Sequence, residues 1–214
     1  MDGLLIDSEP LWQEAGMELL QQYNIDLTEE DYHTTMGLRT PEWLDHWFTH
    51  FKIGKNHIHT AIHEIEENAL SKIKQRGVAM PGVQGIFQFF AERDFRIAIA
   101  SSSPMRLIEA VAAMLDLEPY LHNKTSAEKL PFGKPHPQVF IECANALQIA
   151  PSHCVVFEDS FNGLIAAKAA KMKCVIVPAP HVHHYTKWDA ADLKLSRLDT
   201  FDQDKLTKLF PDLK

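Results

Sequence analysis

The chain has 214 residues, 45% of them hydrophobic and 23% charged, which supplies enough apolar material for a sizeable core and excludes a disordered chain. Its formal net charge of −8 at pH 7 argues against nucleic acid or an anionic membrane surface as a partner, since both repel it. No apolar run approaches the about 18 residues that span a bilayer, and no basic-then-apolar stretch at the N-terminus reads as a secretion signal.

The first predicted element is a helix. Ser8 is a suitable N-cap, Pro10 falls in the first turn, and Leu11, Ala15, Leu19 and Tyr23 recur every four residues before Asn24 ends the pattern. Thr40-Pro41 opens a second helix. Its Trp43, Leu44, Trp47, Phe48 and Phe51 form one stripe, read as core of this region rather than as a stacking platform. A third helix carries Ile58, Ile62, Ile65, Ala69 and Ile73, with Gly77 as its expected C-cap. Three amphipathic helices on short polar loops predict a small bundle.

After Pro81-Gly82 the periodicity changes. Val83 to Arg93 reads as a helix, and Phe95 to Ala100 as a short apolar strand that stops at Ser101-Ser102-Ser103-Pro104. Arg106 to Leu115 and Pro137 to Leu147 read as helices. Cys154 to Phe157 is a strand, Asn162 to Lys171 a helix, and Cys174 to Val177 another strand. Apolar strands without alternation, separated by helices, predict a parallel sheet covered on both faces. The expected class is α/β, a Rossmann-like parallel core with an inserted all-helical unit.

In such sheets ligands bind at the carboxyl ends of the strands, so the residues just after each apolar run matter most. Ser101 and Ser102 offer hydroxyls and N–H groups for an anion. Lys134, in Gly133-Lys134-Pro135, offers a point positive charge suited to phosphate. Glu158 and Asp159 are adjacent carboxylates, with Asp2 and Asp7 added near Gly3; an oxygen-rich set suits Mg²⁺. Each feature alone has an ordinary explanation as a turn residue, a helix cap, a solvated lysine or a surface pair. The functional reading rests on their joint occurrence at strand ends.

MDGLLIDSEP, IASSSP, GKPHP and VFEDSFNG, in this order, resemble the motifs of the haloacid dehalogenase-like hydrolases. The likeness covers essentially the whole chain. It is closest to the β-phosphoglucomutase-like branch, and within it to the 2-deoxyglucose-6-phosphate phosphatases and related sugar phosphatases. The resemblance implies an α/β core from residues 1–9 and 78–214 and a helical cap from residues 10–77. It implies that Asp2 is the proton-transfer carboxylate, whose backbone carbonyl also ligates Mg²⁺. Ser101 and Ser102 then bind the phosphoryl group, Lys134 neutralises it, and Asp159 and Glu158 hold the metal, with Asn162 and Gly163 supporting the turn. In the loop Gly37-Leu38-Arg39, Arg39 is either a substrate contact or a plain loop arginine.

The implied activity is Mg²⁺-dependent hydrolysis of a small-molecule phosphate ester such as a hexose or 2-deoxyhexose 6-phosphate, by a cytoplasmic monomer. The aspartate that the resemblance makes the nucleophile falls two residues before Asp2, upstream of Met1, and the apolar strand leading into it falls there too. The expectation is therefore a longer natural chain. A core without that strand is expected to hold two parallel strands unpaired across a gap. The alternatives are a β-phosphoglucomutase-like phosphomutase and a catalytically inactive binding protein. Cys143, Cys154 and Cys174, odd in number and without CxxC spacing, are expected to be reduced thiols. Of the twelve histidines, the pair His59 and His63 and the group His181, His183 and His184 are read as polar positions rather than metal ligands.

Overall fold

A computed structural model describes residues 1–35 and 38–212; Gly37, grouped above with Leu38 and Arg39, lies outside them. Four helices come first: α1 (Glu9–Gln21), α2 (Glu29–Thr34), α3 (Thr40–His50) and α4 (Ile58–Arg76). The six-residue α2 has no apolar period and escapes a sequence reading. Its local signal is a capping box, in which Asp31 N–H donates to Thr28 Oγ1 at 3.1 Å and Thr28 N–H to the Asp31 carboxylate at 3.1 Å. The helices share one apolar cluster built on Leu19, Leu20, Trp43, Leu44, Trp47 and Phe48, so the aromatic stripe is core as expected. Phe51, assigned to that stripe, falls just past α3 and is exposed.

The α/β part follows: α5 (Val83–Ala91), β1 (Ile97–Ser101), α6 (Met105–Met114), β2 (Leu121–Ser126), α7 (Gln138–Leu147), β3 (Val155–Glu158), α8 (Phe161–Ala169), β4 (Lys173–Ile176), β5 (Leu193–Lys194) and α9 (Gln203–Leu209). Strand β2 reads LHNKTS, which is too polar for an apolar-run criterion. Its place is earned by parallel pairing with β1, from Ile97↔Leu121 to Ser101↔Ser126. Strands β3, β4 and β5 form a second parallel sheet. Two strips join the two parts. Asp7 N–H donates to Val78 O at 2.8 Å, and Met80 N–H to Leu5 O at 3.0 Å, so the chain leaves and re-enters at one place.

The two sheets face each other across a gap. Among the described residues, β1 pairs with β2 alone and β3 with β4 alone, which leaves each with a free edge. Between those edges lies an apolar slot of about 480 Å³. Ile97, Ala98, Ile99 and Ala100 all line it, as do Val155, Val156 and Phe157. Side chains alternate along a strand, so a run of consecutive residues lining one cavity means that the strand presents its edge. Met1, Leu4 and Leu5 also line this slot.

Phe48 is fully buried in the helical cluster, 4.9 Å from the Tyr23 ring centroid. Phe48→Ala is expected to cost about 3–5 kcal/mol of unfolding free energy, measured by urea denaturation. A loss below about 1 kcal/mol would mean that the four helices do not pack through this ring.

Candidate active site

Strands β1 and β3 both end at one cavity of about 100 Å³. Asp2, Ser101, Ser102, Lys134, Glu158 and Asp159 all line it, although they come from four separate stretches of chain. The opposite wall comes from the helices and includes Trp12, Tyr32, Trp43 and Ile65.

Asp2 is held by three donors. Ser8 Oγ donates to Oδ1 at 2.7 Å, Trp12 Nε1 to the same oxygen at 3.0 Å, and Ser103 Oγ to Oδ2 at 2.6 Å. Ser8 does occupy the N-cap position of α1, but its hydroxyl serves Asp2 and makes no cap hydrogen bond, which departs from the expected role. Ser103 was not singled out by motif, yet it is the serine that reaches the carboxylate. Ser101 supports it from behind: Ser101 Oγ donates to Ser103 Oγ at 3.2 Å, and Ser126 Oγ donates to Ser103 O at 2.6 Å. The signal was the serine run itself, because residues 101 and 103 fall on one side of a chain leaving a strand.

Lys134 and Glu158 form a buried ion pair, with Lys134 6% and Glu158 4% exposed. The lysine ammonium also sits 4.6 Å from the Phe140 ring centroid. The other Glu158 oxygen accepts from Asp159 N–H at 3.1 Å, Ser160 N–H at 3.2 Å and Ser160 Oγ at 3.1 Å. Gly163 makes room for this carboxylate. A Cβ at that position would lie 2.1 Å from the Glu158 carboxyl carbon. Burial alone raises the pKa of Glu158, but the Lys134 charge beside it reverses the sign and holds it well below the usual range. Asp159 goes the other way, raised by burial and then by the negative charge of Glu158.

Asp159 has a close companion in Gly3, whose φ is +67°. A Cβ there would lie 2.4 Å from Asp159 Oδ2, so a side chain at residue 3 would clash as well as strain the backbone. The bend after Asp2 therefore depends on glycine to bring Asp2 and Asp159 together. Glu9, absent from the motif reading, also lines the cavity. Burial, and then the charges of Asp159 and Asp2, push its pKa up to about 8. Its sequence signal was its place one helical turn before Trp12.

Arg39 lies elsewhere. Its guanidinium donates to Ala127 O at 3.1 Å, Leu130 O at 2.6 Å and Glu42 Oε1 at 2.6 Å, so it clasps the segment leading to Lys134 and departs from a substrate-contact role. His59, His63, His181 and His184 are exposed.

Among the described residues, no three Asp, Glu, His or Cys side chains gather closely enough to enclose a metal ion. That arrangement still fits Mg²⁺, which keeps several waters and takes one or two carboxylates plus substrate phosphate rather than an all-protein cage. The raised Asp159, crowded by burial and by the charge of Glu158, is the group that a cation would relieve.

The ion pair makes a testable demand. Lys134→Met leaves Glu158 buried without its partner and is expected to cost about 3–5 kcal/mol in urea unfolding, while Lys134→Met with Glu158→Leu recovers most of it. Because folding lowers the pKa of Glu158, its stabilisation is present above its unfolded value of 4.5 and is lost as pH falls below it. The single-variant penalty should therefore shrink below pH 4; a penalty independent of pH would contradict the pairing.

Residues 1–171 match the haloacid dehalogenase-like hydrolase family. Hexitol phosphatase B of Escherichia coli (strain K12) is 37% identical over 199 residues, 92% of this chain and 90% of that protein. The phosphorylated carbohydrates phosphatase of Thermotoga maritima is 30% identical over 172 residues, 79% of this chain and 78% of that one. Among solved structures, β-phosphoglucomutase from Clostridium difficile superposes with a TM-score of 0.87 at 20% identity, covering 99% of this chain and 94% of its own. That likeness speaks for the α/β core and helical layer alone. The extent of the family match, together with relatives of this identity and coverage, means that the chain belongs to the haloacid dehalogenase-like hydrolases.

Proposed function

We propose that the chain is a Mg²⁺-dependent phosphatase of small phosphorylated sugars or polyols, hexose, 2-deoxyhexose and hexitol phosphates among them. The observation that carries this reading is the convergence of Asp2, Ser101, Lys134, Glu158 and Asp159 on one cavity. Hexitol and carbohydrate phosphatases among the relatives support hydrolysis over phosphoryl transfer between sugars.

The residues divide the work. Lys134 sets a positive charge against the phosphoryl oxygens and is kept in position by Glu158. Ser101 and Ser102 supply hydroxyls and N–H groups to the same oxygens. Asp2, fixed by Ser8, Trp12 and Ser103, gives a proton to the leaving oxygen and later takes one from water. Asp159 and the Asp2 backbone carbonyl would hold Mg²⁺, with Glu158 acting directly or through water. When bound, the ion supplies further positive charge to the transferring group. The helices of residues 10–77 serve as a cap that excludes water from this chemistry.

The nucleophile in this reading is an aspartate carboxylate two residues before Asp2, carried on a strand that fills the slot between β1 and β3. The slot supports it in two ways: its walls are free strand edges, and Met1 lines both the slot and the active-site cavity. A strand ending at Met1 would run directly into the site.

Two measurements test the proposal. In the first, phosphate release from hexose, deoxyhexose and hexitol phosphates is measured with Mg²⁺. A chain extended through an apolar strand and an Asp-Met sequence is expected to turn these over, and the 214-residue chain is not. Robust turnover by the shorter chain would sink the nucleophile assignment, and ester-independent silence of both would favour a binding protein. The second is a thermal shift. Folding raises the pKa of Asp159, so without metal this group costs stability as pH climbs from its unfolded value of 3.8 through its raised one. The melting gain from Mg²⁺ is expected to be larger at pH 8 than at pH 6, and to vanish in Asp159→Asn. A gain that persists in Asp159→Asn would remove that residue from the metal site.

A further inference from the structure

The segment from Ala127 to Gly133 carries Lys134 into the cavity, and its own backbone does little to hold it. Ala127 N–H donates to Ser101 O at 2.8 Å, and Leu130 N–H donates to Ala127 O at 3.1 Å. Further hold comes from the start of α3, in the helical layer. Arg39 Nη1 donates to Ala127 O at 3.1 Å and to Leu130 O at 2.6 Å, and Arg39 Nη2 to Pro131 O at 3.4 Å. Gly133 N–H donates to Glu42 Oε1 at 3.3 Å. Backbone groups in a part-buried loop need partners, and here two side chains from a distant stretch of chain supply them.

The two side chains form one unit. The Arg39 side chain is only 13% exposed. Glu42 accepts from its guanidinium at 2.6 Å and from the Arg39 N–H at 3.1 Å, so the first turn of α3 fixes how the pair is presented. Gly133 lets that unit come close: a Cβ there would lie 2.7 Å from Glu42 Oε2 and 2.8 Å from Arg39 Nε. The next residue is Lys134, whose ammonium is paired with Glu158 in the core. A second tie joins the helices to the core elsewhere. Arg106 of α6 pairs with Glu66 of α4 at 3.1 Å and with Glu67 beside it, so it serves docking of the helices without gripping the 127–133 segment.

Resting on the phosphatase reading, we infer that Arg39 and Glu42 are positioning residues for Lys134, and that they make phosphate binding conditional on the docking of α3. Neither side chain has to touch the ester. They act through the backbone that ends at Gly133. With α3 in place, the segment has one arrangement and Lys134 stands at the phosphate end of the cavity. With α3 withdrawn, the carbonyls of Ala127 and Leu130 and the N–H of Gly133 lose their partners, and the segment regains conformational freedom that phosphate binding must then remove. Linkage makes the effect mutual: phosphate bound through Lys134 favours the docked helix by the factor by which docking favours phosphate. The guanidinium fork suits this task, because one cation serves several carbonyls and a carboxylate at once, where the single ammonium of a lysine serves only part of the set.

The test is equilibrium binding of inorganic phosphate with Mg²⁺, read beside amide hydrogen exchange over residues 127–134. Arg39→Ala is expected to weaken phosphate binding by at least about 5-fold. Arg39→Lys recovers part of the loss, and Gly133→Ala reproduces it with both side chains still present. Phosphate is expected to slow exchange in this segment of the unaltered chain and to do so far less in Arg39→Ala, a response that a merely structural arginine would not alter. Arg106→Gln, which loosens the helices without releasing the loop, is expected to keep phosphate affinity within about 2-fold. Melting curves check that each variant is folded, and Gly133→Ala and Arg39→Lys carry the comparison if Arg39→Ala is not. Folded variants that bind phosphate as the unaltered chain does overturn the positioning role and leave the phosphatase reading standing. An equal loss in Arg106→Gln overturns it in favour of helix docking in general. Failure of the unaltered chain to bind inorganic phosphate at all removes the phosphatase reading, and the positioning role with it.

Discussion

The buried pair of Lys134 and Glu158 is the constraint on which the site depends. Two charges removed from water cost several kcal/mol each by desolvation, and only close pairing with full hydrogen bonding offsets that. Here the offset is structural. Glu158 ends β3 and accepts from Ser160 and the Asp159 N–H, while Gly163 leaves space for its carboxylate. Lys134 arrives on a loop that Arg39 and Glu42 hold from the helical side, through the carbonyls of Ala127 and Leu130 and the N–H of Gly133. A shift of the helices therefore reaches the lysine through its loop, and a shift of the lysine reaches Asp159 through Glu158.

The carboxylates that remain explain why a cation belongs in this reading. Lys134 compensates Glu158, which leaves Asp2, Asp159 and Glu9 around a small cavity that must admit an anionic ester. The raised pKa values of Asp159 and Glu9 record that crowding as protons retained. In the proposed reading, a divalent ion held by Asp159 would relieve this crowding of negative charge.

Much of this was legible in the sequence, and the misses share a physical origin. Helices α1, α3 and α4, and strands β1, β3 and β4, announce themselves because each buries an apolar face or run. The polar β2 and the six-residue α2 do not, since their stability comes from ladder pairing and a capping box rather than from local burial. At the site, strand ends and motif order found Asp2, Ser101, Lys134, Glu158 and Asp159. Ser103 and Glu9 were hidden, because their significance lies in which groups they face. Arg39 was ambiguous for the same reason: a loop arginine and a substrate arginine read alike until its acceptors are known.

The slot between β1 and β3 ties the sheet to the chemistry. Two parallel strands that expose facing edges to an apolar cavity leave backbone N–H and C=O groups without ladder partners, and such groups are ordinarily paired. The same strands carry Ser101 and Glu158 at their carboxyl ends, so the spacing across the slot fixes the spacing of Ser101 and the Lys134–Glu158 pair. Met1 borders both cavities, and Gly3 turns the chain immediately afterwards toward Asp159. The width of the slot therefore bears on two things together: how far apart β1 and β3 stand, and where the backbone of Asp2 stands relative to Lys134. Sheet spacing and site geometry are thus coupled in this fold: the facing edges of β1 and β3 are apolar, and the polar groups of the site gather at the carboxyl ends of the same strands.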